Sequence, residues 1–188
     1  MKLVFDIHKS IAAAAYLSRK SEETLTVLFL IKMLYAADRE ALLKWHRTIT
    51  GDAPVSMDNG PVLSRIYNLV NGTAKGADMQ AWNQVFKVRE ANAIKVRPDA
   101  NVEILLDYLS DREIEALDHA FQKVKKVKGK IADWAHKEFP EWEDPNSSSK
   151  PIDFSTVLLK EGLSATQVTA IVTEIESVQS AKRALKAA

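Results

Sequence analysis

The sequence predicts a mainly α protein: a compact helical domain carrying one small two-stranded β-hairpin, followed by a C-terminal helical pair. Three observations predict it. Apolar residues recur at helical spacing through most of the chain. One stretch, 86–97, alternates apolar and basic residues instead. A polar segment, Asp144-Pro145-Asn146-Ser147-Ser148-Ser149-Lys150-Pro151, has linker composition and breaks the helical pattern before it resumes. With 188 residues, 46% apolar and 27% charged, the chain is long enough to bury a core of its own.

The first helix is expected to start at Asp6 as N-cap, with Ile7, Ile11, Ala14 and Ala15 on one face. Ser21-Glu22-Glu23 opens a long second helix to about His46, the glutamates suiting its positive end. Between Val27 and Ala37 this helix is apolar on nearly every side, so it belongs at the centre of the fold. Residues 47–60 interrupt it with Thr, Gly, Asp and Asn. Pro61 then reads as the first residue of a third helix, where its missing N–H costs nothing, and Leu63, Ile66, Tyr67 and Val70 follow at helical spacing to Asn71-Gly72.

Residues 72–83 read as loop. Phe86 and Val88 alternate with Lys87 and Arg89, and Ile94 and Val96 with Lys95 and Arg97, which places the hairpin here with one face on the core. Ser110 and Glu113 form a capping box for a helix whose core face is Ile114, Leu117, Phe121 and Val124, with Leu109 stapling onto Ile114. A short helix from Lys130 to Glu138 ends before Pro140. In the C-terminal pair Gly162 ends the first helix and Ser164 and Gln167 box the second. Val168, Ile171, Val172, Ile175 and Val178 line its buried stripe. Residues 1–145 are expected as one domain, and 151–188 as a helical extension packed on the same core.

A formal net charge of +1 gives no whole-molecule attraction to nucleic acid or to an anionic membrane. The chain has no cysteine, which excludes disulfides, Cys-based zinc sites and a Cys nucleophile. Asp6 and His8 break the N-terminus before any signal-peptide-like apolar region, and the run Val27–Ala37 is too short to span a bilayer, so a cytoplasmic location is expected. His8, His46, His119 and His136 lack zinc-motif spacing. No Gly-rich phosphate loop or nucleophile elbow occurs; Ser64 lies inside a helical pattern. No catalytic group, metal or cofactor is expected, and an enzyme is not supported.

Two features carry more than one reading. Lys32, Asp38 and Arg39 are either a rim of the core helix, snorkelling or paired to neighbours, or a polar cluster with Asp52 or Asn59 that fixes the 49–61 loop. The five lysines in the run 123–130 suit a helix C-terminus capped by Gly129, or an electrostatic docking patch. Trp45, Trp82, Trp134 and Trp142 read as packing residues.

The ordered series Lys32-Met33-Leu34-Tyr35-Ala36-Ala37-Asp38-Arg39-Glu40, Thr48-Ile49-Thr50-Gly51-Asp52, Asn59-Gly60-Pro61-Val62 and Ser64-Arg65-Ile66-Tyr67 resembles the signature of the Panacea, or SocA-like, antitoxin domain. The helix Ser110–Leu117 and the Trp134 region resemble its later part, and the likeness covers roughly residues 5–145. Met33 stands where Leu is usual, and the chain beyond Lys150 has no match. The resemblance implies an antitoxin of a bacterial or phage toxin–antitoxin pair, with a role in phage defence, that neutralises a cognate protein toxin by direct binding. Some relatives instead deliver the toxin to a cellular protease as adaptors, and a DNA-binding regulator of its own operon is the remaining alternative, although nucleic acid is not the expected partner. Lys32, Tyr35, Asp38, Arg39, Asp52 and Asn59 are the expected toxin-binding candidates. Gly51 and Gly60 supply the loop's backbone freedom, and Pro61 restarts the helix.

Overall fold

The computed structural model describes residues 3–21, 25–87 and 92–187. Helix α1 (Ile7–Lys20) starts as expected: an Asp6 carboxylate oxygen accepts the Lys9 N–H at 3.0 Å, and Ala12 to Ala15 are buried completely. Four adjacent buried alanines let a neighbouring helix approach without loss of helix propensity. Helix α2 (Val27–Trp45) is the axis of the fold, with every residue from Leu30 to Asp38 buried. It begins later than Ser21-Glu22-Glu23, because Thr26 takes the N-cap position and pairs with Ala93 in an antiparallel bridge; Glu22 and Glu23 lie outside the described residues. It ends at His46, in the left-handed conformation at φ 55°. Helix α1, the strand at Gly60–Leu63 and the helix at Asp111–Lys125 all pack against it.

The chain then forms the hairpin that the sequence placed elsewhere. Strands β1 (Pro54–Met57) and β2 (Gly60–Leu63) pair antiparallel around the two-residue turn Asp58-Asn59. Neither turn residue has positive φ, whereas Gly60 has φ 91°, the pattern of a turn followed by a left-handed residue. All four β2 residues are buried, so no polar alternation announces the strand. Pro61 therefore does not open a helix. It sits in β2 opposite Ser56, on an edge strand that needs no further donor, and α3 (Ser64–Val70) starts three residues later.

Helix α4 (Ala77–Val85) occupies much of the expected loop 72–83, burying Trp82 and Val85. The alternating stretch beyond it does fold back antiparallel, through the bridge Phe86↔Val96 and bonds from Lys87 N–H to Lys95 O (3.0 Å) and Arg97 N–H to Val85 O (2.7 Å). It forms isolated bridges rather than strands, and Val88 and Arg89 lie outside the described residues. A short α5 (Val102–Leu106) leads to α6 (Asp111–Lys125), whose capping box of Ser110 and Glu113 is complete, and to α7 (Ile131–Glu138).

Beyond the polar segment, β3 (Lys150–Pro151) adds to the free edge of β1, giving the order β2-β1-β3. Helices α8 (Phe154–Lys160) and α9 (Ala165–Ala187) follow, with Gly162 at φ 87° and reciprocal Ser164–Gln167 hydrogen bonds between them. A second apolar cluster joins Phe154, Val157, Leu158, Val168, Ile171 and Ile175 to Leu42 of α2, with Leu3 and Leu43 at its edge. The fold class is the expected one, mainly α with a small antiparallel sheet. Among the described residues no helix is long and apolar enough to cross a membrane.

Candidate functional site

Lys32, Tyr35, Asp38 and Arg39 stand three or four residues apart, so α2 presents them along one side. Lys32 and Asp38 hold the segment 48–63, and Tyr35 and Arg39 meet carboxylates from later in the chain.

Asp38 holds the loop. One of its carboxylate oxygens accepts the Ile49 N–H at 2.9 Å and the Thr50 N–H at 3.1 Å; the other accepts the Thr50 hydroxyl. Burial pushes this carboxyl up to about 7, opposed by the Thr50 and Ile49 hydrogen bonds and reinforced by the charge of Asp52. Asp52 holds the next helix. Leu63, the N-cap of α3, offers no side-chain acceptor, and Asp52 reaches across to replace it. Its Oδ2 accepts the Ile66 N–H at 2.9 Å, and its Oδ1 accepts from Arg65 N at 3.1 Å and Ala53 N at 2.7 Å. Burial raises its pKa too, against these bonds.

Lys32 is fully buried and donates to the Pro61 carbonyl at 2.7 Å, pinning β2 to α2. Desolvation lowers its amine to about 7. Gly60 lies directly against it: a Cβ there would stand 2.8 Å from Ala135 Cβ and 3.1 Å from Lys32 Nζ. Gly51 is tighter still, since a Cβ would stand 2.1 Å from the Val4 carbonyl oxygen. Both glycines also have positive φ.

Tyr35 and Arg39 meet a residue that sequence reasoning missed. Glu141, with a side chain wholly shielded from solvent, accepts the Tyr35 hydroxyl and both arms of Arg39, at 2.8 Å from Nε and 3.2 Å from the terminal nitrogen. That nitrogen also donates to Glu161, just past the end of α8. Burial opposes the charge on Arg39, but the two carboxylates outweigh it and hold its pKa above the ordinary value. Burial, then Glu141, raises the Tyr35 phenol well above its usual range. A buried arginine on a core helix does demand a carboxylate, and that was the available signal; nothing in the spacing singles out the acid 102 residues away.

Five of the six candidates therefore come together beneath the 48–63 segment. Lys32, Tyr35, Asp38 and Asp52 are at most 2% exposed, and the Arg39 side chain is 10% exposed. Asn59 stands apart, exposed at the hairpin turn. Around that turn, His136 bonds the Asp58 carbonyl at 3.0 Å and stacks on Trp142, whose Nε1 donates to Met57 O at 2.9 Å. The cavity enclosed by Tyr35, Asp38, Arg39, Asp52 and Phe154 measures about 10 Å³, room for one water. Among the described residues no three His, Asp or Glu side chains are grouped to hold a metal.

A family model described as "Antitoxin SocA-like, Panacea domain" matches residues 30–143, more than half of the chain. No curated protein and no solved structure matches it.

Proposed function

Given that the chain belongs to the SocA-like, Panacea-domain antitoxin family, we propose that it neutralises a cognate protein toxin by binding it directly and blocking its active site or substrate access, without catalysis of its own. The observation that carries this reading is the family match itself, which spans most of α2, the hairpin and the Glu141 contact.

The segment 38–61 supplies the neutralising surface in this reading. Asn59 and the hairpin turn touch the toxin, while Lys32, Tyr35, Asp38, Arg39 and Asp52 act from beneath by fixing the shape that the toxin meets. Gly51, Gly60 and Pro61 set the backbone of that shape. Burial supports this division, because a group 2% exposed has no area to offer a partner unless the surface opens.

The test is to express the neighbouring open reading frame under a tight promoter, with and without this chain, in the cytoplasm of a bacterial host. Growth arrest relieved together with co-purification of a stable complex is the expected result. A harmless neighbour, or rescue with no complex at any concentration, overturns the proposal.

One observation favours a second reading. Helices α8 and α9 lie outside the matched residues 30–143, and an added module suits an adaptor that hands the toxin to a protease. The toxin's half-life separates the two. Direct blocking leaves it unchanged or lengthened, and delivery to a protease shortens it.

A further inference from the structure

Against the 48–51 loop lies a cleft of about 250 Å³, below the range of roughly 300–1,000 Å³ usual for small-ligand pockets. Four elements build it: the start of α1, the end of α2, the start of α6, and α9. Among its apolar lining residues Ala41 and Ile49 are buried, and the half-buried Trp45 is the one that offers apolar surface along with the stem of Lys9.

The charge around the cleft is unbalanced in a definite way. Both carboxylates that line it are engaged: Asp6 caps α1 by accepting the Lys9 N–H, and Glu113 pairs with the Lys9 amine while completing the capping box of α6. Three cations that line it are not. Arg47, Arg112 and Lys182 are exposed, come from three different elements, and have no carboxylate within ion-pair distance among the described residues. Unpaired cations around a partly exposed tryptophan are the complement of an acidic segment.

We propose that this cleft is a docking site for an acidic segment of the partner protein, completed by α9 through Lys182. The identity of that partner as the toxin rests on the antitoxin reading above. Helix α9 is held in place for the task, since Gln179 accepts the Val4 N–H at 2.8 Å and Glu174 meets His46 at 3.3 Å. Lys182 lies outside the family match, so this chain adds its own wall to a cleft whose other side, Ala41 to Gly51 and Ser110 to Glu113, belongs to the shared domain. A nucleic-acid backbone fits less well. It wants an extended cationic track, and the other basic cluster, at Lys125 to Lys130, lies at the far end of the 15-residue α6, about 20 Å away at 1.5 Å rise per residue.

The experiment measures binding of fluorescein-labelled hexaglutamate at low salt by anisotropy, with hexalysine as control. The variants are Arg47→Glu, Arg112→Glu and Lys182→Glu, with Lys126→Glu as the distant reversal. Expected are saturable binding of hexaglutamate, a loss on the order of tenfold with each cleft reversal, and little change with Lys126→Glu. All four residues are exposed, so the thermal midpoint should not move. No binding, or equal loss with Lys126→Glu, overturns the proposal. So does inorganic triphosphate displacing the peptide at far lower concentration, which would mark a phosphate site. The same variants are then tested against the product of the neighbouring reading frame. Weakened capture supports the proposal, and unweakened capture overturns it. Hexaglutamate bound through these residues, with no capture of that product by the native chain, keeps the site and removes the antitoxin reading instead.

Discussion

Asp38 and Lys32 are two buried ionisable groups whose pKa values both fall at about 7 in the folded chain, from opposite directions. Unfolded, Asp38 loses its proton near 3.8, so between that pH and about 7 the folded state holds the extra proton. Stability from Asp38 therefore falls as pH rises through that window and is flat above it. Asp52, also raised, acts with the same sign. Lys32 unfolded keeps its proton to about 10.5, so above pH 7 the unfolded state holds the extra one, and stability rises from about 7 to 10.5. The chain should show a stability minimum near neutrality in urea unfolding from pH 5 to 9.5. Lys32→Met should flatten the upper limb and Asp38→Asn the lower; a steady rise from pH 5 to 7 would contradict the assignment. Asp38→Ala strands three loop donors and should cost about 3 kcal/mol. Asp52→Ala, which uncaps α3, should cost about 1–2 kcal/mol, both measured by urea unfolding at pH 7.

At the scale of the element, the helices were legible where local chemistry writes their ends. Asp6 for α1, the Ser110–Glu113 box for α6 and the Ser164–Gln167 pair before α9 are short-range signals, and each stands where expected. The hairpin was legible only as a kind of object. Alternation of Phe86, Lys87, Ile94, Lys95 and Val96 marks one face in water and one on the core, yet there the backbone makes isolated bridges. The strands that form are hidden because β2 is buried throughout and because Pro61 suits a helix start as well as an edge strand. Lys32 and Asp38 do bond the segment between α2 and α3, one of the two readings their sequence positions allow, but the partners of the other candidates were not visible. Asp52 caps a helix from outside it, and Glu141 answers Arg39 from another helix's end. Glycine substitutions test the loop as an element. Gly51→Ala meets the Val4 carbonyl and should cost about 3 kcal/mol or more, read as a shift in the urea midpoint. Gly72→Ala, also at positive φ but with nothing within 4 Å, should cost only about 1 kcal/mol.

For the whole molecule, the C-terminal segment is joined to the matched domain by β3 on the edge of β1, by Glu161 on Arg39, by Glu174 on His46, and by the apolar cluster around Leu42. A chain ending at residue 146 should therefore lose stability, with a lower urea midpoint and new binding of a hydrophobic dye at Leu42 and Leu43. An unchanged midpoint would make the extension an ornament. Arg39 waits for Glu141 across 102 residues and for Glu161 across 122. At about 5–20 residues per second, the ribosome delivers Glu141 roughly 5–20 s after Arg39. During that interval the nascent chain carries the family's signature segment without its supporting carboxylate, so Arg39 and Tyr35 are without their buried partner until Glu141 has been made.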